Sequence, residues 1–135
     1  MSTPTFLHRC VEHDPRGLTL MNRRTGRALA TGIETAFDSE TRRRGLLGRD
    51  GLPEGAGLII APCNGIHMFL MRFAIDVAFV SRDGRVVSVR RGLKPWRIAM
   101  ALRAFATIEL PVGALDASGT QRGDDLELVD SAPAP

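Results

Sequence analysis

A thiol, an imidazole and a thioether stand four residues apart at Cys63, His67 and Met71, inside residues 62–80 (PCNGIHMFLMRFAIDVAFV), which also hold Arg72 and Asp76. Polar and soft groups in so apolar a run need partners, because an unpaired buried polar group is costly. If the segment is extended, the three residues share parity and therefore one strand face. Their donor set suits Cu(I), but four residues of ideal strand span about 13 Å. That is too far for adjacent ligands unless Asn64 and Gly65 bend the chain. The same spacing stands against a Cys63–His67 nucleophile pair, which also lacks an evident orienting group. Copper at Cys63, His67 and Met71 is kept as a weak alternative, and no cofactor is expected.

Asp76 lies in the run Ile75-Asp76-Val77-Ala78-Phe79-Val80, where both faces read as at least partly buried. Such a carboxylate requires an arginine, a set of backbone N–H groups or a metal. Arg42, Arg44 and Arg72 are the cations at hand, and a structural Asp tying the strand to a helix turn is the favoured reading. A catalytic carboxylate would need a raised pKa and an open cleft. Arg42, Arg43, Arg44 and Arg49 form a basic cluster around a short helix, suited to forked hydrogen bonds with phosphate or carboxylate. The plain alternative is a solvated helix face. No phosphate-cradling glycine loop, HExxH or GxSxG is present. With no Tyr, one Trp and most Phe inside apolar runs, a stacking surface for nucleic acid is lacking.

These residues must be positioned by a set of short strands. Residues 18–21 and 27–34 flank Asn22-Arg23-Arg24-Thr25-Gly26, a hairpin signal. Asp38 or Ser39 caps a short helix to about Leu47, with Glu40 near its N-terminus. Residues 58–61 form an apolar strand that Pro62 ends. Residues 75–81 and 86–90 flank a turn at Asp83-Gly84. Residues 96–104 are ambiguous between helix and loop, residues 106–110 read as a strand, and residues 126–129 as an alternating final strand. Residues 131–135 read as a frayed tail. The pattern predicts a mainly β domain, an antiparallel sandwich or partly open barrel with one or two short helices.

The chain has 135 residues, 44% hydrophobic and 24% charged, which fits one domain over residues 1–135. Residues 58–71 are too short and too interrupted to span a bilayer as a helix. The first residues lack the pattern of a secretory signal, so a cytoplasmic location is expected. Cys10 and Cys63 match no metal or disulfide framework and read as free thiols. The net charge of +3 is too small to argue for nucleic acid. Its distribution is uneven, with a balance of +4 over residues 1–49 and −5 over residues 104–135. The two ends of one domain can pack together on that basis.

Several segments in order resemble the Domain of Unknown Function 192 family. They are Thr41-Arg42-Arg43-Arg44-Gly45-Leu46-Leu47-Gly48-Arg49, Gly57-Leu58, Pro62-Cys63-Asn64-Gly65-Ile66-His67, Met71-Arg72-Phe73, the run from Ile75 to Val80, Pro95-Trp96-Arg97, Leu110-Pro111-Val112-Gly113 and Gly123-Asp124. The likeness covers about residues 18–129. It implies a compact, mainly β domain with no assigned activity. Carried over residue by residue, the family's polar signature falls on Arg42, Arg49, His67, Met71, Asp76 and Glu109. Ala74 stands where relatives often carry Pro, and Val112 where they often carry Ala. Many relatives are exported, which this chain's first residues do not match.

Together these readings describe a small binding or accessory domain. Its cluster of Arg42, His67, Arg72 and Asp76, joined through the resemblance by Arg49, Met71 and Glu109, would recognise a small anionic group or a partner's side chain. One alternative is a hydrolase or thiol-dependent enzyme using Cys63 or His67 with Asp76. Another is a purely structural polar network. Neither nucleic acid nor a membrane is expected as a partner.

Overall fold

Leu18 and Leu20 point inward from β1 (Leu18–Asn22), as the alternation of the segment requires. Gly26, at φ +69, turns the chain into β2 (Ala28–Ala30). The expected return strand over residues 27–34 is broken at Thr31. There the N–H groups of Thr31 and Gly32 both donate to Gly55 O, at 2.8 and 3.0 Å, and the chain moves into a second sheet as β3 (Gly32–Ala36). These elements belong to a computed structural model that describes residues 6–132.

Asp38 accepts from Thr41 N at 2.8 Å and so starts α2 (Ser39–Arg44), with Glu40 in its first turn. The helix and the loop after it form a crossover into β4 (Ala56–Ile60), which pairs in parallel with β3. An all-antiparallel sheet was expected, and this one pair departs from it. Parallel neighbours need such a crossover, and a six-residue helix suffices here because a loop of 45–55 completes the path.

The five-stranded sheet has the order β3-β4-β9-β6-β7, with β6 (Ile75–Val80), β7 (Val86–Leu93) and β9 (Ala106–Leu110) antiparallel to their neighbours. The turn between β6 and β7 falls at Asp83-Gly84 as read, and a Cβ on Gly84 would meet Leu126 O at 2.7 Å. A three-stranded sheet, β10-β1-β2, is completed by β10 (Leu126–Asp130). The ambiguous residues 96–104 contain β8 (Ile98–Met100), which pairs with β5 (Gly65–His67) as a separate two-stranded ribbon. The result is mainly β with no closed barrel.

The one or two helices expected are three among the described residues: α1 (His8–Glu12), α2 and α3 (Ala114–Ser118). Helix α3 has no side-chain cap of its own, so nothing local announces it. The tail expected to fray at 131 is still held there. Ser131 N donates to Gly17 O at 2.9 Å, and its hydroxyl lies 2.8 Å from that of Thr19. Residues 133–135 lie outside the described ones.

Both faces of the five-stranded sheet are covered. Ile33, Ile59, Ala78, Val80, Ile108 and Leu110 pack from one face against Leu18, Leu20, Leu126 and Leu128 of the three-stranded sheet. Leu58, Ile60, Ile75, Val77 and Phe79 pack from the other against Leu46, Met68 and Ala99, beneath α2 and the ribbon. Each large side chain so buried contributes roughly 1.5–3 kcal/mol. A polar knot pins the 120–125 turn to the first hairpin. Asp124 accepts from Arg24 Nε at 2.7 Å and Asn22 Nδ2 at 2.8 Å, and the guanidinium holds its carboxyl well below the usual carboxylate range. Among the described residues no helix is long and apolar enough to cross a membrane.

Candidate functional site

Strand β9 is central and buried along its whole length, so its side chains alternate between the two cores. Ala106, Ile108 and Leu110 enter the core shared with the three-stranded sheet. Glu109 therefore projects the other way, toward α2 and the ribbon. It is 6% exposed, and its Oε2 is fully buried with no hydrogen-bond partner. Desolvation pushes its carboxyl up from 4.5 to about 7, with Arg49 pulling partly against it. A carboxyl held so close to neutrality can stay protonated as a donor or ionise to meet a cation.

Glu109 lines a cavity of about 160 Å³ shared with Arg42, Arg43, Arg44, Cys63, His67 and Met71. Its apolar wall is Leu46, Leu47, Ile60, Ile66 and Met68. At about 30 Å³ per water, the space suits a group of only a few heavy atoms. A larger concavity of about 500 Å³ between β2 and residues 111–117 carries Glu54 as its sole ionisable lining residue. The smaller cavity is where convergent polar chemistry lies.

The polar residues reach it because the chain does not stay extended across residues 62–74. Cys63 N donates to Phe105 O at 2.8 Å, while Cys63 O accepts from Thr107 Oγ1 at 3.0 Å, fixing the bend before β5. Beyond β5, Met71 N donates to Met68 O at 3.2 Å and folds the chain back. Cys63, His67 and Met71 thus line one cavity as a curled segment, not as one face of a strand. The Cys63 thiol donates to Gly65 O at 3.2 Å, and the exposed His67 ring stacks on Phe69 at 4.8 Å between centroids. Arg42 is half-buried, and its Nη1 donates to Pro62 O at 3.2 Å, tying α2 to the bend.

Other expected members stand elsewhere. Arg72 is exposed and pairs with Asp50 at 2.6 Å. Arg49 bridges to Glu34 at 2.8 Å and acts on Glu109 only through its charge. Asp76, whose neighbour in β9 is Leu110, projects to the face opposite Glu109. It meets no arginine. Its Oδ1 accepts from Gly92 N at 2.9 Å, and its Oδ2 from Gly113 N and Leu115 N, each at 3.1 Å. Asp76 supplies, from the neighbouring strand and on the same face of the sheet, the cap that α3 lacks, satisfying N–H groups that open a helix. The grouping of Arg42, His67, Arg72 and Asp76 is therefore divided by the sheet, and Asp76 cannot orient Cys63 or His67.

Glu109 was expected at the site only through the family resemblance, and Arg43 only as part of the basic cluster around α2; both line this cavity. Glu109 carried one local signal, an acid in the otherwise uncharged strand Ala106–Leu110. Arg43 is exposed and makes no ion pair or side-chain hydrogen bond among the described residues.

The class defined here is a small, mainly β domain whose central sheet carries a structural carboxylate on one face and a lined cavity on the other. Residues 20–128 match the DUF192 family of uncharacterized ACR proteins, and the chain belongs to that family. A UPF0127 protein of Thermococcus sibiricus (strain DSM 12597 / MM 739) is 38% identical over 63 residues, covering 46% of this chain and 40% of the relative's length. Two crystal structures share the fold. One, from Sinorhizobium meliloti 1021, is described as a "putative transcription regulator"; it has a TM-score of 0.71 at 22% identity and covers 82% of this chain and 90% of its own. The other, a protein of unknown function from Novosphingobium aromaticivorans DSM 12444, has a TM-score of 0.70 at 24% identity and covers 82% of each.

Proposed function

We propose that this domain binds a small ligand, or a partner's side chain, in the cavity between α2, the ribbon and β9. An anionic end would meet Arg42 and Arg43 at the rim, and a hydrogen-bond donor would reach Glu109 at the floor. The observation that carries this reading is the buried, unpartnered Oε2 of Glu109 among convergent polar side chains. An unsatisfied buried acceptor costs about 1–3 kcal/mol, and a ligand N–H or O–H removes that cost. A purely anionic ligand gains at the arginines but loses near an ionised Glu109, so a group with both an anionic and a donor end fits best. The small volume sets the size class: a carboxylate or phosphate with an adjacent amine, amide or hydroxyl. A cytoplasmic location is part of this proposal, and two free cysteines are compatible with its reducing environment.

The test is a thermal-shift screen of the protein and its Glu109→Gln and Arg43→Ala variants against small hydroxy and amino acids, phosphate, phosphoethanolamine and simple carboxylates. Stabilisation is roughly 2.7 kcal/mol at a hundredfold excess over the dissociation constant. A shift in the wild type that both folded variants lose supports the site. No shift with any compound, or one that both variants retain, removes it.

A further inference from the structure

The ribbon beside the cavity exposes Phe69, Leu70, Trp96, Ile98, Met100 and Leu102, from 39% at Phe69 to 79% at Leu102. They form one body. Trp96 N donates to Met68 O at 2.8 Å and Met68 N to Arg97 O at 2.7 Å, and the Phe69 and Trp96 rings lie 5.8 Å apart. Ile98 and Met100 share the outer face of β8, while Ala99 between them is buried. Among the described residues, Leu70 at φ +66 and Trp96 at φ +70 are the non-glycine residues with left-handed backbone. Each such conformation costs on the order of 1–3 kcal/mol and collects where function demands it. Here the cost holds two large apolar side chains out in solvent.

The charges carried by residues 84–108 of this tip have one sign, while near Leu70 the exposed Asp50 is paired by Arg72. Between Asp83 and Glu109 the sequence holds no acidic residue. Lys94, Arg97 and Arg103 make no ion pair or side-chain hydrogen bond among the described residues, although Arg24, Arg85 and Arg91 all find acidic partners. A symmetric contact with a second copy would set these three cations against their own images. A groove-binding partner would need these side chains to line a depression; Met100 and Leu102 do, in a concavity of about 390 Å³, whereas Leu70, Trp96 and Ile98 stand out at 62–69% exposure. Protruding apolar groups, an interfacial tryptophan and unpaired basic residues instead match the apolar and anionic layers of a lipid headgroup region.

We infer that the β5–β8 ribbon docks the protein on an anionic lipid surface, with Trp96, Ile98 and Leu102 entering the interface and Lys94, Arg97 and Arg103 meeting headgroup phosphates. The expectation of no membrane partner rested on the lack of a spanning stretch, and surface docking needs no span. The inference is independent of the cavity's ligand. It places the mouth of the cavity beside the surface, since His67 lines the one and stacks on Phe69 of the other.

Trp96 is the only tryptophan, so its emission reports on the ribbon directly. The experiment mixes the protein with vesicles of phosphatidylcholine alone and of phosphatidylcholine with phosphatidylglycerol, reading co-sedimentation and Trp96 emission. Binding to the anionic vesicles with a blue shift is expected, weakened by salt. Each basic residue near the surface is worth about fivefold in binding, so Arg97→Ala with Arg103→Ala should lower it on the order of 30-fold. Ile98→Ser with Leu102→Ser, both exposed and so compatible with the same fold, should abolish the blue shift. Failure to sediment with anionic vesicles at low salt overturns the inference. So does equal binding to both vesicle types, or a ribbon-dependent dimer in their absence.

Discussion

Glu109→Gln replaces a buried carboxyl that burial has pushed up to about 7 with a neutral side chain of the same shape. In the wild type the carboxyl titrates near 4.5 when unfolded and near 7 when folded. Below about pH 4.5 both states hold the proton, and burial exacts little. Between pH 4.5 and 7 the unfolded chain releases its proton while the folded chain keeps it, so stability falls as pH rises. Above 7 the folded state carries a desolvated carboxylate and the full penalty applies. At about 1.4 kcal/mol per pH interval, the total is about 3 kcal/mol. The assay is urea denaturation of both proteins from pH 4 to 8.5, taken as a difference so that the other titrating groups cancel. The wild type should lose about 3 kcal/mol against the variant across that range, with the difference levelling above pH 7. Parallel curves would show that Glu109 is solvated or paired, and the cavity would lose the feature that recommends it. A Glu109→Leu variant should give the same difference, which separates loss of charge from any effect of the new amide.

Arg49→Ala removes the charge that restrains Glu109, so the midpoint of the same difference curve should move above 7. Asp76→Ala leaves three backbone N–H groups unpaired in a buried site and should cost on the order of 2–5 kcal/mol by denaturation. Any ligand shift at the cavity should survive that substitution, because the sheet stands between. Burial pushes the Cys10 thiol up to about 11. Iodoacetamide at pH 8, followed by peptide mass spectrometry, should therefore modify Cys63 and spare Cys10; equal labelling would show that Cys10 is not packed as described.

The strands were legible where local chemistry decides them. The β6–β7 hairpin is announced by Asp83-Gly84 between apolar runs, and Gly84 sits where a side chain would strike Leu126 O. Helix α2 is announced by Asp38, which caps it as read. What failed to show were features whose cause lies far away in sequence. Helix α3 is capped by Asp76 from β6, 37 residues before Gly113. The break at Thr31 depends on Gly55 O, and the parallel pairing of β3 and β4 follows from it. Alternation placed Asp76 on the face away from Ile75 and Val77, which the structure bears out, but it did not say that α3, and not an arginine, waits there. For residues 63–71 the parity argument assumed an extended backbone. The bonds from Cys63 to Phe105 and Thr107 bend it, and the bend brings the three side chains around one cavity.

Pleating assigns two different duties to two carboxylates on one sheet. Asp76 and Glu109 lie on adjacent strands, one residue out of register, since Asp76 faces Leu110 and Val77 faces Glu109. That single step sends them to opposite faces. On the Asp76 face three N–H groups satisfy the charge, and the group is spent on holding α3 and β7 in place. On the Glu109 face no donor has been supplied, although burial is nearly as deep. Sheet packing alone does not require an acid there, because Leu58 and Val77 flank it with apolar side chains and a leucine would fill the same volume. A buried acid without a partner, with arginines, a thiol and an imidazole lining the same cavity, is the observation on which the proposed ligand rests, and the pH difference for Glu109→Gln tests it.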